Sequence, residues 1–152
     1  MGKTRSFIVY WLPVAVWMVL IFSASGDSSS FQHSSRIIAP IVRWLFPGCS
    51  EETVSEVVTV VRKCAHLTEY AVLALLVWRA RRKPAWKDGR PWQWPTAGEA
   101  LWTAALYAAT DEFHQTFIAT RDGCVRDVLI DSSGAVAGLF LLWMVGRRLK
   151  FW

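Results

Sequence analysis

The sequence predicts an all-α integral membrane protein: four transmembrane helices plus an outer-side interfacial, amphipathic helix, in a single domain over residues 1–152. Three observations carry this expectation. Four apolar runs alternate with polar connections, and about 20 apolar residues suffice to cross a bilayer. Hydrophobic residues make up 53% of the chain and Trp occurs ten times, against roughly 45–50% apolar in a soluble domain, and Trp is enriched at membrane–water interfaces. The cations behind the net charge of +5 cluster at the ends of the apolar runs: Lys3 and Arg5, then Arg79 to Arg90, then Arg147, Arg148 and Lys150. That placement suits topology determinants rather than a basic stripe, so no nucleic-acid partner is expected.

The first span is expected over residues 6–24, around the apolar run Phe7 to Phe22. Pro13 interrupts it, which membrane helices tolerate where neighbours satisfy the freed carbonyl. Lys3 and Arg5 before the run and Ser23, Ala24 and Ser25 after it also suit a signal peptide. The run is long for one, and an uncleaved anchor is the favoured reading. Gly26 to Ser35 reads as a polar loop. Arg36 to Phe46 is too short to span and carries Arg beside an apolar core, so it is assigned as the interfacial helix. Pro47-Gly48 ends it. Ser50 is placed to cap the next helix, with Glu51 and Glu52 in the first turn where the helix dipole favours acids.

The second span is expected over 57–79, followed by a basic loop to Pro95. The third, 97–118, is rich in Ala. The fourth, 127–146, leads into a basic tail. Lys and Arg in short loops remain cytoplasmic, which places the 79–90 loop and both termini inside and residues 24–60 and 116–126 outside. Cys49, Cys64 and Cys124 then all lie on the outer side. An odd count without metal-ligand spacing favours three unbridged thiols, with Cys49–Cys124 as the one pairing to consider.

Ionisable side chains inside membrane-length runs are costly, and they usually line a functional cavity. At about 100° per residue, Lys63, His66 and Tyr70 share a stripe flanked by Glu69. Asp111, His114 and Gln115 share a second, with Glu112 beside it. Asp127, Asp131, Gly134 and Gly138 share a third, whose Gly-x-x-x-Gly pair admits a close helix neighbour. All three clusters fall toward the outer ends of their spans, so one common polar pocket is expected. Plainer readings stand beside this. The glycines serve packing alone, Arg62 and Lys63 snorkel to the interface, Glu69 is an ion-pair partner of Lys63 or Arg121, and His66 is a hydrogen-bonded core residue.

The pocket's chemistry divides three ways. His66 with Glu69, and Asp111 with His114, repeat the i, i+3 carboxylate–His spacing of helical di-metal sites. That spacing is common by chance and no Cys or HExxH motif supports it, so no metal is assigned. Acid–base work suits His66, Glu69, Asp111 and Glu112, with Lys63 and Arg121 holding an anion. A proton or ion pathway would need polar residues through the inner halves of the spans, which are apolar.

The segments VRKCAHLTEYAVL (61–73) and ATDEFHQTFIATRDGCVRDVLIDSSGAVAG (109–138) together resemble the VanZ-like family. Lys63, His66, Tyr70, Asp111, Glu112, Gln115, Arg121, Asp127, Asp131, Gly134 and Gly138 carry the likeness, and IFSASGDSSS (21–30) resembles the family's serine-containing end to the first span. Ile118-Ala119-Thr120 departs from the Pro-Gly turn that members often place before the Arg. The resemblance implies a small multispanning protein of the bacterial cytoplasmic membrane with its site toward the envelope. The family's namesake is associated with teicoplanin resistance. The expected partner is a membrane lipid or a lipid-linked cell-wall precursor. Lys63, Tyr70, Gln115, Arg121, Asp127 and Asp131 are its expected contacts, the two aspartates chiefly orienting Arg121 and the helices. Neither a cofactor nor an oligomeric state is assigned.

Overall fold

The computed structural model describes residues 3–26, 30–84, 88–118 and 123–152. Five helices are formed, α1 (Lys3–Gly26), α2 (Ser30–Leu45), α3 (Glu51–Arg82), α4 (Trp94–Gln115) and α5 (Val125–Arg148), with no strand among the described residues. Two of them are long and apolar enough to cross a membrane, Thr4–Ser25 with mean hydropathy 2.2 and Val125–Arg148 with 1.9. The other two expected spans are helical but less apolar. α3 carries Arg62, Lys63, His66 and Glu69, and α4 is built largely of Ala, Thr, Trp and Tyr before ending in Asp111 and Glu112.

α3 is the hub, packing on all four other helices. Its 32 residues extend about 48 Å at 1.5 Å per residue, well beyond the ~30 Å of a bilayer's hydrocarbon. Near its start Val54 and Val58 bury against Ala39 and Val42 of α2. The Ser50 cap forms as expected, its Oγ accepting the Thr53 N–H at 3.2 Å. The other end runs past the expected boundary to Arg82, where Lys83 adopts a left-handed φ of 47° and its N–H closes on the Arg79 carbonyl. α2 begins at Ser30, inside the segment expected to be loop. One side of α2 covers α3, while Ile37, Ile41, Trp44 and Leu45 form an exposed apolar stripe at i, i+4, i+7, i+8. Arg43 reaches back to Glu51 with two hydrogen bonds, 3.1 and 2.7 Å.

Helix directions follow from particular contacts. A Cβ added to Gly134 would collide with the backbone of Leu67, and one on Gly138 would press on Ala71. α5 therefore runs parallel to α3 with backbones nearly touching, as the glycine pair predicts. Trp17 donates to the Glu69 carbonyl at 2.9 Å and Tyr10 to that of Pro84 at 3.3 Å, setting α1 antiparallel to α3. The Tyr107 hydroxyl donates to the Met18 carbonyl at 2.6 Å, setting α1 parallel to α4. Ala97, Ala100, Ala104 and Ala108 form the buried stripe of α4. Pro13 lies inside α1 without breaking it. Its missing N–H deprives the Val9 carbonyl of a helical donor, and Arg79 of α3 donates there instead at 3.3 Å while lying over the Tyr10 ring.

All three cysteines are free, so the Cys49–Cys124 pairing is not formed.

Two outcomes follow from this packing. Gly134→Ala overpacks the α3–α5 contact and lowers stability by about 1–3 kcal/mol, whereas Gly98→Ala, with no atom within 4 Å of the added Cβ, raises it by about 0.5–1 kcal/mol; thermal unfolding in detergent reads both. The Arg43 hydrogen bond and charge hold the Glu51 carboxyl below its usual range. A depressed carboxylate stabilises above its unfolded value, roughly 4.3, and the contribution is lost as pH falls through the lower folded value. Hydrogen-exchange protection of α2 is therefore flat from neutral to mildly acidic pH and drops below about pH 4, a drop absent in Glu51→Gln.

Candidate functional site

Three buried stripes end at the same level of the bundle, and each ends in a polar group. The α4 stripe of alanines continues at helical spacing into Asp111 and Gln115. The α5 stripe of Gly138, Ala135 and Gly134 continues back to Asp131. The α3 stripe of Val77, Ala74 and Leu73 reaches Tyr70. Tyr70, Asp111 and Asp131 are 0%, 1% and 2% exposed, so the packing that closes the apolar core also seals the polar cluster above it. Asp111, Glu112 and Asp131 are all electrostatic neighbours of the Tyr70 hydroxyl. Asp131 also feels Asp127 and Glu69.

Gln115 ties the cluster to α1. Its Nε2 donates to Ser25 Oγ at 2.7 Å, with longer contacts to Asp111 Oδ2 at 3.2 Å and Glu112 Oε1 at 3.3 Å. Glu112 is also buried and accepts the Cys124 backbone N–H through Oε2 at 2.9 Å. Cys124 is the residue that caps α5 and offers no side-chain cap of its own, so a carboxylate from α4 stands at the helix start, where the dipole favours it. Asp111 Oδ1, Asp131 Oδ2 and the Tyr70 hydroxyl have no hydrogen-bond partner among the described residues.

A more open rim surrounds this core. Lys63 Nζ bonds Asp127 Oδ1 at 3.1 Å, with both side chains more than a third exposed. His66 Nδ1 faces Glu69 Oε2 at 3.6 Å, beyond hydrogen-bond length, one turn along α3.

Tyr70, Asp111, Glu112, Gln115 and Asp131 thus converge in the buried core, and Lys63, His66, Glu69 and Asp127 at its edge. Arg121 lies outside the described residues. Lys63 pairs with Asp127 rather than Glu69. His114, on the Asp111 stripe by spacing, instead lies against the Phe22 ring at 4.4 Å between centroids. Ser25 is buried in the site and was not among the expected contacts; the small-residue end of the first span was its only signal. The Cys124 N–H had none, because backbone donors leave no mark in a side-chain pattern.

Chemically the described core is rich in acceptors. Unpartnered carboxylate oxygens beside a phenol accept from hydroxyl, amide or ammonium donors and exchange protons with them. No group of three or more His, Cys, Asp or Glu that could hold a metal ion is found among the described residues.

The family model described as VanZ/LLP1 matches residues 7–146, from the second turn of α1 to the last turn of α5. No curated protein and no solved structure matches the chain.

Replacing Gln115 by Leu removes the donor to the Ser25 hydroxyl, to Asp111 Oδ2 and to Glu112 Oε1. The expected cost is about 1–3 kcal/mol, with a smaller loss for Ser25→Ala. The double variant falls short of the sum because the two share one bond. Unfolding of the four proteins in detergent measures this cycle.

Proposed function

The chain belongs to the VanZ/LLP1 family, and from that membership we propose a cell-envelope membrane protein whose polar intramembrane site lies toward the outer face. The site binds or modifies a lipid-linked or cell-wall precursor and thereby lowers susceptibility to teicoplanin. The observation that carries this reading is the sealed cluster of Tyr70, Asp111 and Asp131, in which Asp111 Oδ1, Asp131 Oδ2 and the Tyr70 hydroxyl have no hydrogen-bond partner among the described residues. Such groups are retained inside a membrane bundle where they serve a ligand or a reaction.

In this reading α1, α3, α4 and α5 all span. The helix directions support it, because they gather the N-terminal cations, Arg79 to Arg90 and Arg147 to Lys150 at one end of the bundle, with Tyr10 bonded to Pro84 there. Short basic segments remain cytoplasmic, so both termini lie inside. Tyr70 stands 12 residues before the end of α3, about 18 Å along the axis, a distance that supports a cluster near or beyond the middle of a ~30 Å hydrocarbon layer. α2 then rests on the outer surface with its Ile37–Ile41–Trp44 stripe in lipid.

Asp111 and Asp131 exchange protons with the bound group, and Tyr70 and Gln115 position it. His66 and Glu69 form an acid–base pair at the mouth, and Lys63 and Arg121 meet the anionic part of a precursor. A specific observation supports a second, non-catalytic reading: Glu112 spends both oxygens on protein donors, which suits a scaffold that binds lipid or a partner protein without turnover. Transport across the bilayer is disfavoured, since Ala71 to Trp78 is an apolar stretch of α3 facing the alanine stripe of α4.

Teicoplanin and vancomycin susceptibility in a sensitive Gram-positive host, with empty vector, wild type, Glu112→Gln and Asp131→Asn at matched membrane levels, tests the proposal. The expected result is selective teicoplanin protection by the wild type that falls to the vector level in Asp131→Asn. Protection surviving in both variants removes the cluster from the function, and none from the wild type overturns the substrate assignment.

A further inference from the structure

The opposite end of the bundle holds a cavity of about 660 Å³, formed between the ends of α3 and α5, the loop after α3 and the C-terminal tail. Its walls are built by a tail that doubles back. Lys150 takes a left-handed φ of 56°, the Phe151 N–H closes on the Gly146 carbonyl at 2.8 Å, and the Trp152 ring occupies the space where a Cβ on Gly146 would stand. Trp152 meets Trp78 and Trp92 at centroid distances of 5.9 and 5.2 Å. Arg82 lies over Trp78 and Trp152 at 5.3 and 5.4 Å.

Arg82 is a wall rather than a free cation. Although only 4% exposed, it donates to Asp88 and to the carbonyls of Pro91 and Arg90, which pins the loop. Among the lining side chains Arg82 and Lys150 stand against Asp88, which also pairs with Arg90 beside the cavity, and Arg147 and Arg148 lie at the end of α5. The remaining surface is apolar, with Trp78, Leu142, Leu149 and Trp152 prominent. Trp78 carries a buried indole N–H that has no acceptor among the described residues.

An apolar aromatic slot with a positive rim fits one kind of occupant. We propose that this cavity binds an anionic phospholipid of the leaflet at the basic end. The proximal part of an acyl chain lies on Trp78, Leu142 and Trp152, and the phosphate lies at Lys150. The volume lies within the roughly 300–1,000 Å³ of small-molecule sites, enough for a headgroup and part of one chain. A soluble anion would leave the aromatic wall unused. Anionic lipid is drawn to basic segments at the membrane surface, and the cavity sits at the basic end of α5, one of the two helices long and apolar enough to cross a membrane. The site is independent of the outward-facing cluster.

Native mass spectrometry of the full chain in detergent, titrated with phosphatidylglycerol and phosphatidylcholine, tests this. The expected result is preferential retention of phosphatidylglycerol, weakened about tenfold by Lys150→Glu and also by the cavity-filling Leu142→Trp, with melting temperatures confirming the fold. Lys150 is exposed, so its variant remains informative if Leu142→Trp does not fold. Equal retention of the two lipids, or phosphatidylglycerol retention unchanged in Lys150→Glu, overturns the proposal. Displacement of phosphatidylglycerol by inorganic phosphate at equal concentration also overturns it, in favour of a free anion site.

Discussion

The contact on which the rest depends is the seating of Gly134 against the backbone of Leu67. With no Cβ between them, α5 approaches α3 closely enough to run parallel to it along most of its length. That single register decides what the polar side chains meet. Asp131 lies one turn before Gly134 and is carried into the wall beside Tyr70, and Asp127 lies one turn further out, where Lys63 can reach it. A side chain at position 134 would lift Asp131 away from Tyr70 and open the sealed cluster to its surroundings.

The two ends of the bundle are chemically opposite, and the same helices explain both. α4 is lined with alanines so that α3 and α5 can close over it, and that closure buries whatever stands next on the stripe, which is Asp111 and Gln115. At the other end the helices finish in Arg and Lys, whose long side chains are accommodated by stacking on Trp and by hydrogen bonds to loop carbonyls. Carboxylate oxygens without donors among the described residues are costly to bury at one end, whereas at the other the aromatic faces offset the cost of desolvating the cations. Each is therefore informative about what the surroundings supply.

Arg79 shows how a local defect is absorbed. Proline within α1 frees the Val9 carbonyl, and a neighbouring helix supplies the donor. The pairing also locks the level of α1 against α3, which positions Ser25 for Gln115 at the far end of the helix. A backbone vacancy created by one residue thus becomes part of the registration that completes a site more than four turns away along α1.

Much of this was legible in the sequence. The apolar runs became helices, the Ser50 cap formed, the Gly134–Gly138 face packed closely, and the three polar clusters met at one level. These are properties of spacing along a single helix, set by 3.6 residues per turn and by the size of a side chain. What only the tertiary structure decided was who pairs with whom. Lys63 took Asp127 rather than Glu69, His114 turned to Phe22, Glu112 received the Cys124 N–H, Ser25 entered the site, and the tail folded back over Gly146. Those choices depend on the rotation and relative height of different helices, to a precision of about one residue. A one-dimensional pattern specifies which face a residue occupies, but the partner across the gap is set by how the backbones come to rest against one another.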